Sequence, residues 1–131
     1  MPEEPRERVR VLIADDDHRV RTALSALLTS SSGFDVVGTS ATTDGALTLA
    51  RQHRPTVALV DMLLPEATDG LGLLRAITNE LHIPAIAMSI DGGLRRSALA
   101  AGATSFFDKD GRADQLVAAL RTVHSSAVPA W

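Results

Sequence analysis

Short apolar runs alternate five times with longer segments of helical periodicity, and this alternation constrains the fold more than any other feature of the chain. The longer segments carry apolar residues three and four positions apart, which predicts helices over residues 20–30, 45–53, 71–81, 94–101 and 112–124. Repeated strand–helix units form right-handed crossovers, so we expect an α/β protein with a doubly wound parallel sheet and helices on both faces. The predicted strands are Val9–Ala14, Phe34–Ser40, Val57–Asp61, Ala85–Ser89 and Ser105–Asp108.

Three residues are predicted to mark helix ends. Asp44 and Asp110 precede helical segments, and each can accept a hydrogen bond from a free N–H group as an N-cap. Gly102 follows the fourth helical segment, where a left-handed residue ends many helices.

Acidic, hydroxyl and basic side chains stand where four of the predicted strands end. In open parallel sheets, ligands bind at the carboxyl ends of the strands, so we expect these side chains to share one edge. They are Asp15, Asp16 and Asp17 after the first strand, Asp61 after the third, Ser89 after the fourth and Lys109 after the fifth.

These residue types together indicate a site for a divalent cation and a phosphoryl group. Neighbouring carboxylates repel one another and either retain a proton or bind a cation. Oxygen ligands without His or Cys favour Mg²⁺ or Ca²⁺, and the Lys109 ammonium can compensate the charge of a phosphoryl group. Asp61 is the best candidate for a carboxylate nucleophile. Each residue alone is more simply a loop, cap or surface residue, and only their joint position favours the site.

The chain resembles the receiver domain of bacterial two-component response regulators over nearly its whole length. The run VLIADD, which ends at Asp16, is similar to the family's acidic pair, and ALVDMLLP places Pro65 four residues after Asp61, as in its phosphoacceptor strand. Ser89 stands at the family's Ser/Thr position, and FFDK, which ends at Lys109, resembles its aromatic switch and lysine. The resemblance implies a flavodoxin-like (βα)5 sandwich with the sheet order 2-1-3-4-5.

The resemblance also implies the chemistry. Asp61 would accept a phosphoryl group from the phosphohistidine of a sensor histidine kinase. The cofactor would be Mg²⁺, bound by Asp16, Asp61 and the backbone carbonyl of Leu63, with Asp15 acting through water.

The remaining roles concern the phosphoryl group and its consequences. Lys109 and Ser89 would contact the phosphoryl oxygens. Ser89 would move toward them and Phe106 would turn inward behind it, which would change the surface of the fourth helix, fifth strand and fifth helix.

The chain departs from the family pattern at three places. The loop of residues 65–70 is one residue longer than usual, and Ile90 is bulky where the family prefers a small residue. Leu63, Ile90 and Asp91 are therefore expected to tune access to the phosphorylation site and its rates. Asp17 is a third carboxylate beside the pair, expected to interact with the helix dipole rather than with the metal.

Asp110 follows Lys109 at a position where many receivers have proline. This Lys-Asp pair, with the run IADD that ends at Asp16, resembles the NarL/FixJ-like subfamily, whose members usually carry a C-terminal helix-turn-helix. We expect a flexible arm over residues 1–8, the receiver domain over 9–124, and a tail or the start of a linker over 125–131. DNA would be bound only through an output domain absent from these 131 residues, and phosphorylation could promote a homodimer.

Composition excludes several classes of site. The chain has no cysteine, which rules out disulfides and thiolate metal sites, and its net charge of −3 indicates no general attraction to nucleic acid or membranes. No apolar stretch approaches the roughly 18 residues that span a bilayer. We therefore expect a cytoplasmic protein. The family resemblance implies that it catalyses only its own phosphorylation and dephosphorylation.

Two other functions remain open. A haloacid dehalogenase-type phosphatase would use Asp15 as its nucleophile in an Asp-x-Asp-x-Thr pattern, but Arg19 stands at the threonine position. A pseudo-receiver would bind a partner without being phosphorylated, but such modules usually lack an acidic residue or the lysine.

Overall fold

The computed structural model describes residues 8–62 and 69–127, which contain one parallel sheet. The sheet order is β2-β1-β3-β4-β5, as the family resemblance implies, and every predicted strand is confirmed with its predicted bounds. The parallel crossovers place helices on both faces, so the predicted doubly wound fold is confirmed as well. The strands are β1 (Val9–Ala14), β2 (Phe34–Ser40), β3 (Val57–Asp61), β4 (Ala85–Ser89) and β5 (Ser105–Asp108).

The helices follow the strands in strict alternation. A 3-10 turn, Gly92–Leu94, precedes α4, and α3 continues as a π-helical turn, Ala76–Glu80. In the described ranges, none of the helices combines the length and the apolar character needed to cross a membrane. The helices are α1 (His18–Ser30), α2 (Thr43–His53), α3 (Asp69–Arg75), α4 (Arg95–Ala100) and α5 (Ala113–Ala127).

Strands β3 and β4 are buried along their whole length. Leu12 and Val60 pack in an apolar cluster with α2 and α3, whereas Ile13 and Leu59 pack in a second cluster with α1 and α5. Because both faces of the sheet are covered, its central strands are continuous apolar runs, which is why sequence alone locates them.

The strand register aligns the strand ends at one edge. Asp61 lies opposite Met88, and the Met62 N–H donates to the Met88 carbonyl at 2.8 Å. On the neighbouring pair, the Lys109 N–H donates to the Ser89 carbonyl at 3.1 Å. These bonds extend the strand pairing by one residue past β3 and β5, which fixes the backbone position of Met62 and Lys109.

The N-cap of α2 is Thr42, so the prediction of Asp44 is wrong. The Thr42 hydroxyl accepts a hydrogen bond from the Gly45 N–H at 3.1 Å, and the Thr42 backbone is extended, with φ −132°. Asp44 lies instead inside the first turn, where its negative charge is favourable at the helix N-terminus. Both residue types cap helices well, and the chain direction at Thr42 decides between them.

The prediction that Asp110 caps α5 is also wrong. The residue before the helix is Arg112, whose carbonyl accepts a bond from Leu116 at 3.3 Å. The Asp110 N–H donates to the Asp108 carboxylate at 2.9 Å, and this turn keeps Asp110 away from the cap position. The helix runs to Ala127, three residues past its predicted end at residue 124.

The predicted third helix, residues 71–81, begins two residues earlier and does not stay α-helical throughout. The Leu81 N–H donates to the carbonyl of Ala76, five residues back, at 3.0 Å. The predicted role of Gly102 is confirmed, since it has φ +112° directly after Ala101, the C-cap of α4, and the following Ala103 N–H donates to the Ala98 carbonyl at 3.1 Å.

Candidate functional site

Asp15, Asp61, Ser89 and Lys109 lie at the carboxyl-terminal edge of the sheet. Asp61 and Ser89 are the last residues of β3 and β4, and Asp15 and Lys109 directly follow β1 and β5. These four strands are neighbours in the sheet, so the topology brings together residues that are far apart in sequence.

The Lys109 ammonium bridges two buried carboxylates. Its Nζ lies 2.6 Å from Oδ2 of Asp15 and 3.2 Å from Oδ2 of Asp61. The side chains of Asp15 and Asp61 are 0% and 3% exposed, and that of Lys109 is 19% exposed. Charges this far from water are weakly screened. The stability of each charged group therefore depends on the charges of the other two.

The environment of Lys109 favours its charged form. Burial acts to lower the pKa of Lys109, but the contact with the Asp15 carboxylate and the negative charges of Asp61 and Asp15 outweigh it. The pKa of Lys109 is therefore raised above its ordinary value of 10.5. The ammonium is fully charged at neutral pH, and a further anion at this edge could contact it.

Asp15, Asp16 and Asp61 form an acidic cluster in which one carboxylate oxygen from each lies within 4.8 Å of the others. Asp15 and Asp61 are buried, whereas Asp16 is exposed and gives the cluster a side open to solvent. Three carboxylates and one ammonium leave a formal charge of −2, since 3 − 1 = 2. A divalent cation would neutralise this charge.

The donor set of the cluster fits Mg²⁺. It offers oxygen atoms alone, from carboxylates that can bind a small cation while water or phosphate fills the other positions. Oδ2 of Asp15 is fully buried, and within residues 8–62 and 69–127 no neutral group donates a hydrogen bond to it. Its partner is the Lys109 ammonium. A buried, charge-paired carboxylate with two further acids beside it is consistent with a cation site.

A family model for the response regulator receiver domain matches residues 11–121. The chain belongs to this family. The matched segment contains all five strands except the first two residues of β1 and includes every acid of the cluster, as well as Lys109.

Individual relatives agree with this assignment. The chain is 31% identical to the transcriptional regulatory protein LnrK of Bacillus subtilis over 123 residues, which is 92% of this chain and 56% of LnrK. It is 33% identical over 105 residues to a protein-glutamate methylesterase/protein-glutamine glutaminase of Myxococcus xanthus, covering 77% of this chain and 30% of that protein. This receiver domain thus spans about half, or less, of the curated relatives it matches.

Solved structures agree as well. The signal receiver domain of NarL from Mycobacterium tuberculosis matches with a TM-score of 0.82 and 30% identity, covering 91% of this chain and 98% of that domain. A LuxR-family response regulator from Aurantimonas has the same fold, with a TM-score of 0.84 at 23% identity over 92% of this chain and 87% of that one. The predicted NarL/FixJ-like resemblance is confirmed.

Ser89 of the receiver domain is fully buried, and its hydroxyl is engaged by the loop that follows it. The Asp91 N–H donates to Ser89 Oγ at 3.0 Å, and Asp91 Oδ1 in turn accepts a bond from the Gly93 N–H at 2.9 Å. Ile90, between them, is 65% exposed. Any movement of the Ser89 hydroxyl would therefore break a bond that orders the turn before α4.

Phe106, the predicted switch residue, is partly buried and packs against the apolar cluster on the α2–α3 face. It lies opposite Ala87 of β4, two residues before Ser89. Its position beside the same strand as Ser89 is compatible with a coupled motion of the two side chains.

Asp17 is outside the acidic cluster. Its side chain accepts a hydrogen bond from the Arg19 N–H at 2.9 Å and caps α1, which begins at His18. This bond, opposed in part by desolvation, lowers the pKa of Asp17 from its ordinary 3.8. The predicted role at the helix N-terminus is confirmed. Leu63 and the loop residues 65–68 lie outside the described part of the chain.

Sequence reasoning missed Arg21. Its guanidinium donates from Nη1 to the backbone carbonyl of Asp15 at 2.8 Å. The only signal in the sequence is a basic residue one turn into the helix that follows the acidic triplet, which is too common a feature to single out.

Proposed function

We propose that this receiver domain is a phosphorylation-dependent signalling switch in which Asp61 accepts a phosphoryl group from a histidine kinase. The observation that carries the proposal is the buried Asp61 carboxylate, at the end of a central strand, within 3.2 Å of the Lys109 ammonium and beside two further acids. That combination supplies a nucleophile, a fixed positive charge and ligands for a cation.

The transfer needs no other catalytic group from this chain. An Asp61 carboxylate oxygen attacks the phosphorus, and the N–P bond of the phosphohistidine breaks. The imidazole nitrogen keeps the bonding electron pair and takes up a proton. Asp15, Asp16 and Asp61 would hold Mg²⁺, which would supply positive charge that stabilises the transferred group.

Asp15 and Asp16 would hold the cation with Asp61, and the backbone carbonyl of Leu63 would complete the protein ligands. Lys109 is already charged and points at Asp61, so it would contact a phosphoryl oxygen without reorganising.

The signal would leave the site through Ser89 and Phe106. A phosphoryl group adds negative charge that can draw the Ser89 hydroxyl away from the Asp91 N–H, and Phe106 would follow into the space behind it. Release of the Gly92–Leu94 turn would alter the surface of α4, β5 and α5. Ile90, Asp91 and Leu63 would tune access and rate.

The relatives support a proposal for the partners of the whole protein. LnrK is described as a transcriptional regulatory protein, and this chain covers 56% of its length. We propose that residues 9–124 act as the receiver and that the whole protein carries an output domain that binds DNA. The predicted arm, residues 1–8, and the predicted tail, residues 125–131, fall largely outside the described residues. Phosphorylation would favour a homodimer, and the proposed location is the cytoplasm.

The test is covalent labelling of the purified chain by acetyl phosphate with MgCl₂, read by intact mass and peptide mapping. We expect one phosphoryl group on Asp61, no labelling of Asp61→Asn, and no labelling with EDTA. Asp35→Asn is the matched control, because Asp35 is an exposed acid that pairs with Arg8 away from the site.

Three outcomes would contradict the proposal. Undiminished labelling of Asp61→Asn would exclude Asp61 as the acceptor, and a label on Asp15 would indicate the phosphatase alternative. A parent chain that takes up no label, although it is folded and binds Mg²⁺, would favour the pseudo-receiver.

A further inference from the structure

Arg21, in the first turn of α1, contacts the backbone of the acidic loop, which consists of residues 15–17. Its Nη1 donates to the carbonyl oxygen of Asp15 at 2.8 Å, and its Nη2 lies 3.5 Å from Nδ1 of His18. The guanidinium therefore holds the oxygen of the peptide group that joins Asp15 to Asp16.

The three acids of this loop are held in different ways. Asp15 Oδ1 accepts a bond from the Asp17 N–H at 2.9 Å, and the Asp15 N–H donates to the Ser40 carbonyl at 3.0 Å. The Asp17 carboxylate caps α1. The Asp16 carboxylate is exposed, and across residues 8–62 and 69–127 no hydrogen bond or ion pair orients it. Its direction therefore depends on its backbone.

We propose that Arg21 is a positioning residue for the metal site. By fixing the Asp15–Asp16 peptide group, it keeps the Asp16 carboxylate within reach of the oxygens of Asp15 and Asp61. The inference rests on the proposed function, because it takes these three carboxylates as the ligands of Mg²⁺. Residues that orient metal ligands through hydrogen bonds typically change metal affinity by about 10- to 100-fold when they are removed.

Charge and positioning predict opposite results for the loss of Arg21. A cationic side chain near a divalent cation repels it, so removal of the charge alone would strengthen Mg²⁺ binding. Loss of the positioning bond would weaken it. The sign of the change therefore separates the two effects.

The experiment measures Mg²⁺ affinity by calorimetric titration with MgCl₂ for the parent, Arg21→Met, Arg21→Lys and Arg19→Met. Arg19 is the matched control, since it lies in the same helical turn, is 89% exposed and has a carboxylate contact with Asp17 at 3.5 Å. We expect about tenfold weaker binding for Arg21→Met, an intermediate value for Arg21→Lys, which keeps a charged donor, and no weakening for Arg19→Met.

A second readout needs no metal. The backbone ¹⁵N resonance of Asp16 belongs to the peptide group whose oxygen Arg21 binds, so it should shift in Arg21→Met with EDTA present and stay in place in Arg19→Met. Unchanged urea unfolding of Arg21→Met would show that the effect is local.

The outcomes distinguish this inference from the proposed function. If the parent binds Mg²⁺ and Arg21→Met binds it as tightly as Arg19→Met does, the positioning role is refuted while the metal site stands. If the parent binds no Mg²⁺, both the metal site and the positioning role are refuted.

Discussion

Raising the pH should destabilise this protein through one side chain. Lys109 is the only lysine in the chain, which has no tyrosine and no cysteine. Arginine loses its proton only above about pH 12, and carboxylates, histidines and the terminal amine have already lost theirs by about pH 9. Between about pH 9.5 and 11.5, Lys109 is therefore the side chain that titrates.

The direction follows from the raised pKa of Lys109. Its ion pairs stabilise the fold fully below the unfolded value of 10.5, and this contribution is lost as the pH rises through the higher folded value. One proton limits the slope of unfolding free energy to about 1.4 kcal/mol per pH unit. A steeper slope would require a second group.

The size of the effect follows from the two distances. At an effective dielectric constant of about 20, charges 2.6 Å and 3.2 Å apart attract by about 6 and about 5 kcal/mol. Desolvation of the buried groups offsets most of this attraction. Removal of one partner from a buried pair typically costs about 3–5 kcal/mol, which is the expected loss for Lys109→Met at pH 8.

The assay is urea unfolding followed by circular dichroism, with EDTA, from pH 8 to 11.5. The parent should lose stability above pH 10.5 and approach Lys109→Met. The curve of Lys109→Met should stay flat, because neutral lysine and methionine both lack the positive charge beside Asp15 and Asp61. Arg112→Met is the control: Arg112 lies 3.2 Å from Asp114 and is 77% exposed, so it should cost less than about 1 kcal/mol.

Parallel curves for the parent and Lys109→Met across this range would refute the reasoning. So would a cost for Lys109→Met that is no larger than that for Arg112→Met, since the two substitutions differ mainly in burial.

Three further predictions use the same unfolding and labelling assays. Mg²⁺ at ten times its measured dissociation constant should raise the parent's unfolding free energy by about 1.4 kcal/mol, and Asp16→Asn should remove most of this gain. An equal gain in the parent and in Asp16→Asn would show that the cation binds away from Asp16. Gly102→Ala should lower the unfolding free energy by about 1–3 kcal/mol because Gly102 has φ +112°. Gly72→Ala, where an added Cβ would meet open space, should be neutral or stabilising by up to about 1 kcal/mol. Similar losses for the two variants would contradict the strain argument. Ile90→Ala should shorten the lifetime of the acyl phosphate by admitting water. Leu99→Ala is the control, because Leu99 is also a large apolar residue exposed to solvent; equal lifetimes for the parent and Ile90→Ala would exclude Ile90 from access to the site.

Helix ends show how far local sequence reasoning reaches. Gly102 could be predicted, because few residues other than glycine adopt its backbone conformation without strain. Asp44 and Asp110 could not be predicted correctly, because more than one residue near each helix start was a possible cap and the turns that precede α2 and α5 decide where each helix begins. The π-helical turn in α3 had no signal in the hydrophobic pattern, which is nearly the same for α and π geometry over so few residues.

The sequence by itself determined the five strands, their parallel arrangement and the residues at their carboxyl ends. Strand and helix patterns alternate along the chain, and the central strands β3 and β4, buried on both faces, are continuous apolar runs. Only the tertiary structure decided how the acids divide their roles. Lys109 lies closer to Asp15 than to Asp61. Asp17 caps α1, and Arg21 donates to the backbone carbonyl of Asp15. These relations depend on ångström-scale distances between residues on separate elements, and such distances arise only when the whole sheet and its helices pack together.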